Sequence, residues 1–88
     1  MRFEIVLAPE AVEDFWALKA HFRSTVRKAL ETHLRHEPTK TSRGRIKWLR
    51  GLSRPQYRLR VDEVRAFYDV SATTVEVLAI VPKSEAAS

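Results

Sequence analysis

Apolar positions along this sequence change period several times, and each change marks an element. Phe3-Glu4-Ile5-Val6-Leu7 is mostly apolar and stops before Ala8-Pro9, which predicts a first strand. Pro9 suits the first position of a helix, where its missing N–H costs nothing, and Glu10, Glu13 and Asp14 favour the positive helix end. Ala11, Phe15, Leu18 and Phe22 then recur at helical spacing and form one face. Ser24 or Thr25 is placed to cap a second helix, whose inward face is Val26, Leu30 and His33 or Leu34. Pro38 ends that helix by disfavouring helical backbone at Glu37. The two helical stretches are joined almost directly, which predicts an antiparallel hairpin of helices.

Thr39 to Gly44 reads as an exposed basic loop, and Ile46, Trp48, Leu49 and Leu52 as a local apolar anchor around Gly51. After Pro55 the pattern becomes strictly alternating at Tyr57-Arg58-Leu59-Arg60-Val61, a period-two strand. Asp62-Glu63 turns the chain into a second such strand, Val64 to Val70, and Ser71-Ala72-Thr73 turns it again. Thr74 to Val81 is apolar on both faces, as a central strand must be, and Pro82 ends it. The order βααβββ predicts an α+β fold with a helical hairpin packed on one face of a small, mainly antiparallel sheet. No repeat or linker divides the 88 residues, so residues 1–88 are expected to form a single domain with one core.

Composition narrows the chemistry. With no cysteine, a disulfide framework, a thiolate metal cage and a cysteine nucleophile are all excluded. No apolar run reaches the length of a membrane span and Met1-Arg2-Phe3-Glu4 lacks the layout of a signal peptide, so a cytoplasmic location is expected. The formal net charge of +5 hides a steep gradient. Residues 23–60 carry twelve basic side chains against Glu31 and Glu37, while both flanking segments are mildly acidic. Arginine's planar fork suits phosphate and never loses its charge at ordinary pH, which points to a polyanionic partner and first of all to nucleic acid. The competing reading is a merely solubilising surface.

Alternation sharpens that expectation. Tyr57, Leu59 and Val61 share one strand face, assigned to the core, and Arg58 and Arg60 share the other. Arg65 and Phe67 join them if the next strand has the same facing, giving three arginines and a ring that can hold phosphates and stack a base. The alternative is an exposed face whose charges are paired with Asp69 and Glu76. His33 and His36 stand one helical turn apart, but no third ligand is spaced with them and basic neighbours oppose a cation, so neither metal nor cofactor is expected. Gly44 and Gly51 are the only glycines, too few for a phosphate-cradling loop. Trp16 and Trp48 are expected in the core or against a protein partner rather than as base stackers.

Trp48-Leu49-Arg50-Gly51-Leu52, followed by Tyr57-Arg58-Leu59-Arg60-Val61 and Val64-Arg65-Ala66-Phe67-Tyr68-Asp69-Val70, resembles the C-terminal half of RelE/ParE-type toxins. These are the toxin halves of bacterial type II toxin–antitoxin modules. Ile5-Val6-Leu7-Ala8-Pro9, the helix pair and Val75 to Ile80 extend the likeness over nearly the whole chain. For a RelE-like member the resemblance implies metal-independent cleavage of messenger RNA in the ribosomal A site, by attack of a 2′-hydroxyl on its own 3′-phosphate. It places the family's sheet-face basic positions on Arg58 and Arg60 and its next-strand arginine on Arg65, the group expected to stabilise the phosphorane. Lys83 stands near the position of a further family arginine. Arg43, Arg45, Lys47, Arg50 and Phe67 are the remaining expected RNA contacts.

The pattern also departs from the family. Arg58 and Arg60 replace lysines, and arginine is a poor general base. No tyrosine follows Lys83, so an altered or shortened C-terminus is expected, and alternation puts Tyr68 on the face opposite Arg65. A ParE-like DNA gyrase inhibitor without nuclease activity, or a degenerate toxin that only binds antitoxin, is the alternative. Either active branch implies a cognate antitoxin that packs on an apolar groove and covers the basic face, and the nuclease branch adds ribosome and mRNA. No membrane partner is expected.

Overall fold

The chain runs β1 (Glu4–Leu7), α1 (Pro9–Ala17), α2 (Ala20–Leu34), β2 (Ile46–Trp48), β3 (Tyr57–Val61), β4 (Val64–Val70) and β5 (Thr74–Pro82) in the computed structural model, which describes residues 2–51 and 53–82. The sheet order is β1-β5-β4-β3-β2; β1 is parallel to β5 and every other pair is antiparallel. Both helices cover one face, as expected for this α+β fold. β5, apolar on both faces, lies between β1 and β4.

The core forms where the helix stripes meet the inward strand positions. Ala11, Phe15 and Leu18 come from the α1 region, and Val26, Leu30 and Leu34 from α2. Leu59, Val61, Val64, Ala66, Tyr68, Val75, Val77 and Ile80 come from the strands. None of the polar or charged residues is buried among the described residues. Tyr68 turns its one polar atom to use: its hydroxyl donates to the Pro38 carbonyl at 2.6 Å. Its ring stacks on Tyr57 with centroids 5.5 Å apart. Burial, aided by Tyr57, pushes the Tyr68 phenol well above its ordinary range, so the hydroxyl keeps its proton and the bond.

Three details differ from the sequence reading. A fifth strand, β2, stands where a local apolar anchor is expected; only Ile46 of its three residues is buried, so its pattern is too short to read. The helical face through Ala11, Phe15, Leu18 and Phe22 is broken, because Leu18 and Lys19 are extended and α2 already begins at Ala20. Leu18 nevertheless stays buried, and its carbonyl is satisfied by the Arg23 guanidinium. Ser24 and Thr25 therefore do not cap α2; the cap position is Lys19, and Thr25 instead donates back to the His21 carbonyl at 2.9 Å.

Asp14 also has a different role from the one its position in α1 suggests. β1 ends at Leu7, leaving the upper part of β5 without a neighbour on that side, and the Asp14 carboxylate accepts the Ile80 N–H at 3.0 Å. At the other end of β1, Phe3 and Arg35 exchange backbone and side-chain hydrogen bonds, so the strand's start is tied to the end of α2.

Candidate functional site

The hairpin of β3 and β4 sets the geometry of the face without helices. Val61 pairs with Val64 across the two-residue turn, with Asp62 in the left-handed conformation that aspartate tolerates. This register places Arg60 directly opposite Arg65 and Arg58 directly opposite Phe67. β2 adds Lys47 opposite Arg58 on the same face, because its own partner register is offset by none. Arg58, Arg60, Arg65, Phe67 and Lys47 are thus brought together on one surface by strand pairing alone.

The surface is electrostatically unresolved. Among the described residues none of Arg58, Arg60, Arg65 and Lys47 is paired with a carboxylate. Asp69 and Glu76, the candidates for neutralising them, are instead engaged by Arg54, at 3.6 and 3.1 Å. Gln56 fixes Asp69 further, donating its N–H to the carboxylate at 2.7 Å while its side-chain oxygen accepts the Val70 N–H at 2.9 Å. Arg58 feels the result most. Its burial, with Arg65 and Arg60 beside it, lowers its pKa below the ordinary guanidinium value, and its buried Nε has no hydrogen-bond partner. A half-buried cation with an orphaned donor and like-charged neighbours is a site that an anion would stabilise.

The other expected contacts are dispersed. Arg43 lines a groove with Lys47, Trp48 and Arg58 at the free edge of β2. Arg45 lies just before β2, where its carbonyl accepts the Arg60 N–H at 2.8 Å, and it lines a separate recess with His33, whose pKa is lowered by burial and by this arginine. Arg50 stacks over Trp48, 5.8 Å from the ring centroid. Lys83 lies outside the described residues. Trp16 and Trp48 are not in the core: they are 62% and 52% exposed. No signal in the sequence distinguishes them from core residues, since Trp16 adjoins the inward face of α1 and Trp48 sits in a strand too short to show a period.

A second surface lies between α1, α2 and β1. It is an apolar groove of about 310 Å³, lined by Ile5, Leu7, Val12, Phe15, Trp16 and Leu30 and rimmed by Arg27 and Glu31. Among the described residues no cluster of three or more metal-ligating side chains occurs, and no helix is long and apolar enough to cross a membrane.

Residues 5–87 match the family model of the ParE toxin of the type II toxin–antitoxin system parDE. No curated protein sequence gives a match. Among solved structures the fold is similar to the RelBE2 toxin–antitoxin complex of Mycobacterium tuberculosis, with TM-score 0.80 and 20% identity over 93% of this chain and 99% of that one. It is also similar to the RelE–RelB complex of Pyrococcus horikoshii, with TM-score 0.69 and 20% identity over 94% and 97% of the two chains. The YoeB–YefM complex of Staphylococcus aureus gives TM-score 0.69 and 19% identity over 92% and 97%.

Proposed function

The chain belongs to the ParE toxin family of type II toxin–antitoxin systems, and from its bare arginine face we propose that it is a RelE-like toxin cutting messenger RNA on the ribosome. The observation that carries this reading is the group of Arg58, Arg60 and Arg65, adjacent in register and, among the described residues, free of carboxylate partners and including one buried unpartnered donor. Phosphodiester oxygens are the acceptors such a group lacks.

In this reading the 2′-hydroxyl of one nucleotide attacks its own 3′-phosphorus. The bond to the next nucleotide's 5′-oxygen breaks, leaving a 2′,3′-cyclic phosphate and a 5′-hydroxyl. Arg65 stabilises the five-coordinate phosphorane, Arg58 and Arg60 hold flanking phosphates, and Phe67 offers a ring to a base. The proton leaving the 2′-hydroxyl and the proton gained by the 5′-oxygen need groups beyond these, because arginine stays protonated. The site works in the cytoplasm, where ribosomes are, and requires neither metal nor cofactor.

A second reading rests on the family model itself and on the chemistry of the cationic rows, which among the described residues hold no histidine or carboxylate to move a proton. It is a ParE-like inhibitor of DNA gyrase that binds without cutting. In both readings the partner is a cognate antitoxin, whose apolar segment takes the groove between α1, α2 and β1. Primer extension on programmed ribosomes, run beside a gyrase supercoiling assay, separates them. Codon-phased cuts that vanish in Arg65→Ala support the nuclease, whereas intact message with blocked supercoiling establishes the gyrase reading.

A further inference from the structure

Trp48 closes β2 at the free edge of the sheet, and it is half exposed there because neither helix reaches it. Two open grooves flank it, and no residue of α1 or α2 lines either one. The first, of about 540 Å³, runs between the 41–44 loop and β2 and is lined by Thr41, Ser42, Arg43, Lys47, Trp48 and Arg58. Gly44, with φ +81°, turns the loop at its rim and leaves open space where a side chain would project. Among the described residues no acidic side chain lines this groove, and three of those that do are cations. Arg58 also belongs to the arginine face, so the groove continues that face around the sheet edge.

We propose that this edge groove is a second nucleotide subsite, in which single-stranded RNA leaving the arginine face stacks a base on Trp48 and sets its phosphate against Arg43 and Lys47. The inference rests on the RNA reading given above. A volume of this size is of the order of small-ligand clefts, about 300–1,000 Å³. An indole accepts any base on its π-face, and the flanking cations track the backbone, which together give binding with little sequence preference and strong salt dependence. Arg50 already shows that the ring attracts a planar cationic partner; a base takes the open face or displaces it.

The test uses the full chain with Trp16→Phe, which leaves Trp48 as the sole tryptophan reporter, titrated with hexauridylate and hexaadenylate without ribosomes. The expected result is saturable quenching of Trp48 fluorescence by both oligonucleotides, weakened by salt. Trp48→Ala, followed by fluorescence anisotropy of labelled RNA, is expected to weaken binding about 5- to 160-fold, the range of base–aromatic stacking, with Trp48→Phe retaining much of it. Circular dichroism verifies that both variants fold, and Trp48→Phe carries the test if Trp48→Ala does not. If Arg58→Ala weakens RNA binding while Trp48 is neither quenched nor needed, the edge subsite is wrong and the arginine face stands. If the chain binds no RNA and Arg58→Ala changes nothing, both readings fall. Quenching by an acidic antitoxin peptide but not by RNA makes the groove a protein interface and overturns the proposal.

Discussion

Leu59 and Arg60 are neighbours in β3, yet one is fully buried under the helices and the other stands exposed on the open side. The two faces of this one sheet are built by opposite rules. The covered face excludes charge and gains from apolar contact; the open face collects like charges that nothing in the described chain neutralises. The difference teaches that stability and ligand binding are separable at the level of alternate residues. Substitutions on one face should unfold the protein, and substitutions on the other should silence it.

Leu59→Ala should show the largest effect on the covered side. A fully buried leucine lost from a packed core costs about 2–5 kcal/mol, measured by urea denaturation, while Arg60→Ala should stay within about 0.5 kcal/mol of wild type. Equal losses from both would end the distinction between the faces. On the open side, Arg65→Ala should lower the cleavage rate about 10²- to 10³-fold, the usual cost of removing one oriented donor from a charged transition state. Its Tm should not fall, because the change also removes a like charge beside Arg58.

Tyr68→Phe keeps the ring and removes the hydroxyl, leaving the Pro38 carbonyl without its donor, for about 1–3 kcal/mol by calorimetry. Because the folded phenol is raised above its unfolded value near 10, its contribution is full below about pH 10 and is lost as pH rises further. Tyr68→Phe should therefore also flatten the alkaline limb of the stability profile. The smallest effect belongs to His33. Its folded pKa lies below the unfolded value near 6.5, so the unfolded state binds the proton first and stability falls as pH drops through about 6.5. His33→Gln should reduce that slope in equilibrium unfolding measured across the range.

How much of this was legible follows the length of each pattern. Five and seven alternating residues in β3 and β4 are long enough for a period of two to fix facing, so the common face of Arg58, Arg60, Arg65 and Phe67 can be read from the sequence. The helical hairpin is also legible, but its break is not: Leu18 remains buried whether or not the helix continues, so its spacing carries no sign of the extended backbone. β2 has three residues and one inward side chain, too few for any period. Asp14 looks like a helix-start carboxylate until β1 is seen to end at Leu7, since its partner at Ile80 depends on a tertiary vacancy. Arg45 shares a recess with His33, a neighbour from α2 that no pattern within the short β2 stretch announces.

The parallel pairing of β1 with β5 has a consequence in time. Glu4 is aligned with Thr74, seventy residues later in the chain. At about 5–20 residues per second, a ribosome making this protein takes roughly 3.5–14 s to deliver the partner that the first strand needs. Throughout that interval Ile5 and Leu7 have no sheet to join, while the β3–β4 hairpin, closed by two residues, needs no such wait. The charged surface is local in origin, but the sheet that carries it is completed only when β5 has been made and meets β1.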